Sequence, residues 1–150
     1  MEEKFFFVIF QLNNYKDLNL IDWSKTNDKI AIGIDDQVYI WDSTTKTASG
    51  LPDIIQPIRE QAHVTSVKWM PNKNDTLAIA KSNCTIYLCN IETGQCVGKI
   101  LDHEHRVASL SWLNESVLSS GSFKGLVLNH DVRCCSKRDS KLSEWEFHKG

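Results

Sequence analysis

Serine, histidine and aspartate side chains are the residues of this chain that suggest hydrolytic chemistry. His103, Ser120 and Asp131 supply the three side-chain types of a nucleophilic triad, in which an imidazole takes the proton of a hydroxyl. None of them lies in a nucleophile-elbow motif, and the sequence holds neither a GxGxxG nor a Walker phosphate loop. The repeat described below assigns all three to structural positions, so we expect no enzyme activity and no cofactor.

Cysteine is the second residue type with reactive potential. The five cysteines are Cys84, Cys89, Cys96, Cys134 and Cys135. The number is odd, no CxxC pair occurs, and a zinc site built from Cys96, His103 and His105 fits no closed pattern of ligand spacing. We therefore expect free thiols, no metal and no disulfide framework, as in proteins of reducing compartments.

Charge and hydropathy argue against two further classes of function. Lys and Arg number 17 against 19 Asp and Glu, a formal net charge of −2, so no broad basic field is present for nucleic acid. The most apolar stretch, Phe5–Phe10, is far shorter than the about 20 residues that span a bilayer. Its aromatic and β-branched content favours a strand. We expect an intracellular protein, cytoplasmic, nuclear or both, that binds neither membranes nor nucleic acid.

Three tryptophans set the frame in which the other residues must be positioned. Trp23, Trp69 and Trp112 are 46 and 43 residues apart and end the segments LNLIDW, VTSVKW and VASLSW. Each segment has apolar residues at its first, fourth and sixth places. This spacing differs from plain alternation, and a strand with a β-bulge would place all three residues on one face.

Two more strand-like runs follow each tryptophan. The second runs are KIAIGI, TLAIAK and VLSSGS. The third runs, VYIWD, IYLCN and VLNHD, end at Asp42, Asn90 and Asp131, which lie 19, 21 and 19 positions after the tryptophans. We expect a fourth, outer strand near residues 53–58, 95–101 and 141–147 of the three units.

A period of 43 to 46 residues with several short strands and a closing WD-like pair is typical of a β-propeller. We predict an all-β partial propeller of about three four-stranded WD-repeat blades, at residues 13–60, 61–102 and 103–150, with an apolar strand segment at 1–12. The last unit would include the start of a connection to a missing fourth blade. An antiparallel sandwich is the alternative, but it does not explain three units in register.

Closed propellers need roughly four to eight blades. We therefore expect that this chain does not close a ring by itself, and that its open blade edges are available for association.

Many WD repeats contain a buried network of a histidine, a serine or threonine, a turn aspartate and the tryptophan of the WD pair. The first unit keeps Asp35, Trp41 and Asp42 but has no obvious histidine. The second unit has His63, with Cys89 in place of the tryptophan.

The third unit has a histidine at the expected place but departs from the pattern elsewhere. His103 is present, whereas Lys124 replaces the aspartate and His130 the tryptophan. We therefore predict that no blade holds a complete network and that apolar packing holds the blades together. Because burying a lysine is costly, Lys124 is expected to turn outward.

The third unit also carries the most distinctive sequence, HEHRVASLSWLNESVLSSGSFKGLVLNHDVR. It resembles the third blade of the Fizzy and Fizzy-related proteins, one branch of the WD-repeat superfamily. The runs LNLIDWS and VTSVKW are similar to the first and second blades of that branch. The resemblance covers about residues 13–133, which correspond to the N-terminal three blades only. The structural WD-motif residues that it implies are Trp23, Trp41, Asp42, Trp69, His103, Arg106, Trp112, Asp131 and Arg133.

The resemblance implies a non-catalytic role in cell-cycle proteolysis, mitotic or meiotic. Fizzy-type proteins are co-activators of the anaphase-promoting complex and hold degron-bearing substrates on the propeller. The implied partners are therefore subunits of that complex and degron-bearing proteins. Asp17 or Asn14 would take the place of an acidic contact to the KEN box, and Asp17 is preferred for its charge. The resemblance also implies a peptide groove between the second and third blades.

Two other functions stay open. One is a general WD-repeat scaffold, for example a substrate receptor of a cullin-type ligase, because Asp131 and Arg133 form an aspartate–x–arginine triplet similar to part of an adaptor motif. The other is an inactive truncated product.

Overall fold

The computed structural model describes residues 19–51, 62–73, 75–134 and 141–147. This part of the chain folds into short strands with one 3-10 turn at Val132–Cys134. The strands are β1 Ile21–Trp23, β2 Lys29–Ile34, β3 Gln37–Asp42, β4 Thr47–Gly50, β5 Val64–Trp69, β6 Thr76–Lys81, β7 Ile86–Asn90, β8 Gln95–Ile100, β9 Val107–Trp112, β10 Val117–Ser122, β11 Leu126–Asp131 and β12 Lys141–Glu146. No helix in the described residues has the length and apolar character needed to cross a membrane.

The strands form three four-stranded antiparallel sheets in which neighbours along the chain are neighbours in space. Their orders are β1-β2-β3-β4, β5-β6-β7-β8 and β9-β10-β11-β12, and we name them blade 1, blade 2 and blade 3. These open sheets confirm the predicted all-β partial propeller of three four-stranded blades. The exact domain boundaries at residues 13–60, 61–102 and 103–150 stay predictions.

The outer strands were predicted well in two blades. β8 and β12 fall on the expected segments 95–101 and 141–147. In blade 1 the fourth strand is β4 at Thr47–Gly50, earlier than expected, and residues 53–58 lie outside the described part of the chain. The Asp42 carboxylate accepts hydrogen bonds from the Thr44 and Thr45 N–H groups at 2.8 and 3.1 Å, which turns the chain back at once onto β3.

The bulge that the sequence predicted is present in the first strands of blades 2 and 3. The β5–β6 register shifts between Val64 and Ser66, and the β9–β10 register shifts opposite Gly121 and Ser122. Because one residue is skipped, Val64, Val67 and Trp69 all join the same apolar cluster. The corresponding first residue of blade 1, Leu18, lies outside the described residues.

Each sheet has two faces, and the blades stack face to face. We call the face that carries the tryptophan of the first strand the leading face and the opposite face the trailing face. On the leading face of blade 2, Trp69, Leu77 and Ile79 share a buried cluster with Ala31 and Val38 of blade 1. On its trailing face, Ala78 and Ala80 share a second buried cluster with residues of blade 3: Val107, Leu110 and Leu118. Large apolar side chains on the leading faces thus meet alanines of the neighbouring blade at both junctions, beside larger residues such as Ile40 and Leu88.

Gly33 on the trailing face of blade 1 shows how close the blades approach. A Cβ atom at this position would lie 2.7 Å from Val64 Cγ1, 3.1 Å from Val64 Cβ and 3.3 Å from Leu20 Cδ2. Such distances leave no room for a methyl group unless the junction moves apart.

We therefore expect Gly33→Ala to lower the free energy of unfolding by about 1–3 kcal/mol, measured by urea denaturation. Gly50→Ala is the matched control, because its Cβ would lie 3.7 Å from Tyr39 Cε1, an ordinary contact. Equal unfolding free energies for the two variants would contradict the close packing at Gly33.

Candidate functional site

The tryptophans of the first strands join each blade to the one before it. Trp69 Nε1 donates a hydrogen bond to the Asp22 carbonyl oxygen at 3.1 Å, and Trp112 Nε1 donates to the Lys68 carbonyl oxygen at 3.2 Å. In both cases the acceptor is the residue just before the tryptophan of the preceding blade. Trp23 holds the same position in blade 1, and 58% of it is exposed.

Asp22 adds two further hydrogen bonds to the first junction. Its carboxylate accepts hydrogen bonds from the Trp69 backbone N–H at 2.7 Å and from Lys68 Nζ at 2.6 Å. A charge-assisted pair that also ties down a backbone N–H sets both the spacing and the rotation of one blade on the next.

Blade 3 contains a chain of buried polar side chains that we call the His103 network: His103, Ser120, His130 and Asp102. Ser120 Oγ lies 2.6 Å from His103 Nε2 and 2.7 Å from His130 Nε2, and His130 Nδ1 lies 3.2 Å from Asp102 Oδ2. Blade 3 lacks the WD tryptophan and the turn aspartate, as the sequence indicated, and these four side chains form a different hydrogen-bonded chain. The carboxylate comes from Asp102, just before His103, and not from the turn position, where Lys124 is exposed as expected.

The geometry assigns the protons of this network. The carboxylate of Asp102 accepts from His130 Nδ1–H, so the neutral His130 ring presents Nε2 as an acceptor for the Ser120 hydroxyl. Ser120 Oγ then accepts from His103 Nε2–H. Burial, together with the neighbouring His130, lowers the pKa of His103 to about 4, and burial lowers the pKa of His130 although Asp102 opposes it. Both rings are thus neutral at pH 7.

This arrangement has the order of a nucleophilic triad, but its place in the blade is structural. Ser120 is only 1% exposed and His130 is fully buried, so no substrate reaches the hydroxyl in this conformation. Asp131, the carboxylate that the sequence suggested, is bound by Arg133 through Nε at 2.9 Å and Nη2 at 2.6 Å. The hydrogen bonds from Arg133 lower the pKa of Asp131 to about 2.

The WD-type residues of the first two blades lie in different surroundings. Trp41 is partly exposed, and Asp42 closes the β3–β4 turn. His63 is exposed, with Nδ1 3.6 Å from Asp35 Oδ1 of blade 1, so it lies at the junction surface and not inside blade 2. Cys89, in the place of the tryptophan, is fully buried among apolar residues.

Cys89 lies directly opposite Cys96 on the neighbouring strand β8. The hydrogen bond between the two thiols, together with burial, raises the pKa of Cys89, and the same hydrogen bond lowers the pKa of Cys96 to about 6. The cysteines in the described part of the chain are free thiols. Within the described ranges, no three His, Cys, Asp or Glu side chains are grouped so that they could hold a metal ion.

A cleft opens where blades 2 and 3 meet. It has a volume of about 540 Å³, with Pro71 and Asn72 of the β5–β6 turn on one wall, residues 113–117 on the other and Arg133 beside them. Leu113 is 71% exposed and offers an apolar anchor point between Glu115 and Arg133, which carry opposite charges. A concave surface with one apolar anchor and a few polar groups suits an extended peptide.

The opposite end of blade 3 presents a second exposed group. The Arg106 guanidinium lies 5.3 Å from the centre of the Phe123 ring, and Phe123 is 70% exposed.

Asp17 and Asn14 are the two residues expected to contact a KEN box. Both lie outside the described residues.

The fold has three repeating sheets, inner strands that each end in a tryptophan, and a closing Trp41-Asp42 pair. These features define a WD-repeat β-propeller protein. A family model described as the WD40 domain of anaphase-promoting complex subunit 4 matches residues 20–115. This match spans more than half of the chain, which therefore belongs to that WD40 family.

The relatives lie in the branch that the third blade indicated. The chain is 37% identical over 126 residues to "Anaphase-promoting complex subunit cdc20" of Dictyostelium discoideum, covering 84% of this chain and 24% of that protein. It is 35% identical over 133 residues to "Meiotic fizzy-related protein 1" of Schizosaccharomyces pombe, covering 87% of this chain and 30% of that protein. The resemblance to the Fizzy branch is thus confirmed, and the chain spans less than a third of these relatives.

A solved structure shows the same fold. A chain in the crystal structure of the mitotic checkpoint complex superposes with a TM-score of 0.76 and 30% sequence identity, covering 89% of this chain and 38% of that chain.

The neutral, buried state of His103 predicts a pH-dependent stability. An unfolded histidine takes up its proton near pH 6.5, whereas folded His103 resists protonation until about pH 4. The contribution of neutral His103 to the free energy of unfolding is fully present above pH 6.5 and is lost as the pH falls towards 4. We expect His103→Asn to remove about 2 kcal/mol of the loss in unfolding free energy that the wild type shows between pH 7 and pH 5.

Urea denaturation at both pH values measures this difference. His105→Asn is the control, because His105 is exposed, and it should keep the pH dependence of the wild type. The same slope in His103→Asn and the wild type would contradict a neutral His103.

Proposed function

We propose that this chain is a non-catalytic binding module of the anaphase-promoting-complex co-activator type. It presents degron-bearing proteins for ubiquitination, in the cytoplasm, the nucleus or both. The observation that carries this proposal is the similarity across all three blades to proteins named as a cdc20 subunit of that complex and as a meiotic fizzy-related protein. The burial of Ser120, whose hydroxyl lies between two imidazoles, supports a role without catalysis.

Two surfaces are proposed to contact the degron. Asp17, with Asn14 as the alternative, offers a carboxylate for the lysine of a KEN box. The cleft between blades 2 and 3 offers Leu113 as an apolar anchor for a second extended segment, with Arg133 and Glu115 to orient it. A few buried anchors of this kind carry most of the energy of a peptide interface.

A fluorescent KEN-box peptide tests the first surface by anisotropy. We expect Asp17→Asn to raise the Kd about tenfold, which is about 1.4 kcal/mol, because the peptide lysine loses its ion partner. Asn14→Ala is the matched control three residues away in the sequence and should bind like the wild type. The same peptide with alanines in place of Lys-Glu-Asn reports non-specific binding.

The affinities of the two variants distinguish Asp17 from Asn14 as the residue that contacts the KEN box. A loss confined to Asn14→Ala would move the contact from Asp17 to Asn14. Equal affinity for the KEN and alanine peptides would show that this chain does not read the motif and would contradict the proposal for the chain itself.

The identity of the ligase partner is tested by affinity capture from cell extract with the whole chain. The proposal expects subunits of the anaphase-promoting complex among the captured proteins. Recovery of cullin adaptors in their place would favour the scaffold alternative. That alternative has less support, because its sequence signal is the single aspartate–x–arginine triplet of Asp131 and Arg133.

A further inference from the structure

A β-bulge places Cys89 of β7 and Cys96 of β8 on the same face of blade 2. Leu88 lies opposite Gly98, and the next residue, Cys89, lies opposite Cys96, so Val97 is skipped. Regular alternation would put Cys96 on the face of Gly98, which is the trailing face where Leu88 packs. Because of the bulge, Cys96 packs instead against the leading-face cluster that contains Cys89.

The separation of the two cysteines suits a disulfide bond. Residues opposite each other in an antiparallel pair have Cα atoms about 5.5 Å apart when they are hydrogen-bonded and about 4.5 Å apart otherwise. A disulfide joins Cα atoms about 4.4 to 6.8 Å apart, so both kinds of pair lie within its reach. The Cys89 and Cys96 thiols are already hydrogen-bonded to each other. Joining the two sulfur atoms therefore requires little movement of either strand.

The repeat itself does not require two thiols at this place in the sheet. In blade 1 the corresponding row pairs Trp41 with Ala48, and in blade 3 it pairs His130 with Lys141. Blade 2 thus differs from its neighbours by a pair of side chains that can be oxidised.

The two thiols differ in exposure and in acidity. Cys89 is fully buried at the junction with blade 1, whereas Cys96 is partly exposed at the edge of the same cluster. The hydrogen bond from Cys89, helped by the charge of Lys99 on β8, lowers the pKa of Cys96 to about 6 although burial opposes it. The same hydrogen bond, together with burial, raises the pKa of Cys89. Because the thiolate is the reactive form, Cys96 is the thiol that an oxidant from solvent meets first.

We propose that Cys96 and Cys89 form an oxidative modification site whose substrate is a small hydroperoxide. Cys96 attacks one peroxide oxygen, so that an S–O bond forms as the O–O bond breaks, and the other oxygen takes up a proton and leaves as water or an alcohol. Cys89 then attacks the sulfur of the Cys96 sulfenic acid. The S–S bond forms as the S–O bond breaks, and the hydroxyl leaves as water with the Cys89 proton. The two thiols together lose two electrons, which reduce the peroxide.

The product is a disulfide between β7 and β8 of blade 2, and a dithiol reductant reverses it by exchange. A hydroperoxide is favoured over a bulky disulfide such as oxidised glutathione for two reasons. Cys96 packs against the apolar cluster, which limits access to small molecules, and Cys89 is in place to react with the sulfenic acid without a second molecule.

The test uses the whole chain, first reduced and then treated with hydrogen peroxide at neutral pH. The remaining thiols are alkylated after denaturation, and the chain is cleaved after glutamate without reduction. Glu92 lies between Cys89 and Cys96, so this cleavage separates the two cysteines unless a disulfide joins them. We expect mass spectrometry to find the two peptides cross-linked, and to find them separate after treatment with dithiothreitol.

Variants distinguish the two steps of the reaction. Cys89→Ala should lose the cross-link and keep a sulfenic acid at Cys96, which dimedone labels. Cys96→Ala should also lose the cross-link, and dimedone should leave the buried Cys89 unlabelled. Cys84→Ala is the matched control, because Cys84 is a partly exposed thiol of the same blade, in the turn between β6 and β7. It should form the cross-link as the wild type does, and circular dichroism with thermal unfolding shows that each variant is folded.

A folded wild type in which peroxide leaves both Cys89 and Cys96 free for alkylation would overturn the proposal. So would cross-linking of either cysteine to Cys84 or Cys134 in place of the bond between them. A Cys96 sulfenic acid that persists in the wild type without a cross-link would show that Cys89 does not react with it. Faster modification of Cys96 by oxidised glutathione than by hydrogen peroxide at equal concentration would contradict the assignment of a hydroperoxide as the substrate.

Discussion

A four-stranded sheet of this size cannot cover its own two faces, and the rest of the structure depends on this constraint. Each face exposes apolar side chains that become stable only when another layer lies against them. Blade 2 shows the result most clearly, because every residue of β6 is buried and four of the five residues of β7 are too. β12 of blade 3, by contrast, is exposed at almost every position. Burial is therefore greatest in the blade that is packed between two others.

The junctions are directional because their two sides differ in size and in hydrogen-bonding role. Trp69 and Leu77 lie on one side, and Ala31 and Gly33 on the other. A donor indole meets a backbone carbonyl at both junctions, and Asp22 adds a carboxylate that binds Lys68 and the Trp69 backbone. Nonspecific apolar burial would allow blades to slide, whereas these hydrogen bonds set one register.

Repetition explains which features could be predicted from the sequence. The 1-4-6 spacing that ends in Trp69 predicted the bulge at Val64 and Ser66, because the same spacing occurs three times and only a bulge puts its residues on one face. The outer strand of blade 1 was placed too late because Thr47–Gly50 is polar and carries no strand signal; turn geometry at Asp42 puts it there.

Contacts between residues far apart in the chain could not be predicted from the sequence. Asp102 reaches His130 across 28 residues, and Asp22 reaches Trp69 across 47. No local pattern marks either carboxylate. The aspartate was expected in the turn where Lys124 lies. The carboxylate of the network comes instead from Asp102, in the connection between blades 2 and 3.

The same dependence on junctions links binding to folding. The two walls of the cleft belong to different blades, since Pro71 lies in blade 2 and Leu113 in blade 3. A peptide that contacts both walls binds only the stacked state, so its binding free energy adds to the stability of the junction. The His103 network begins at Asp102 and His103, in the connection that leads from blade 2 into blade 3, and ties that connection to β10 and β11. Ordering this connection limits how blade 3 can rotate on blade 2. The buried histidines therefore help to preorganise the cleft in which we place the peptide.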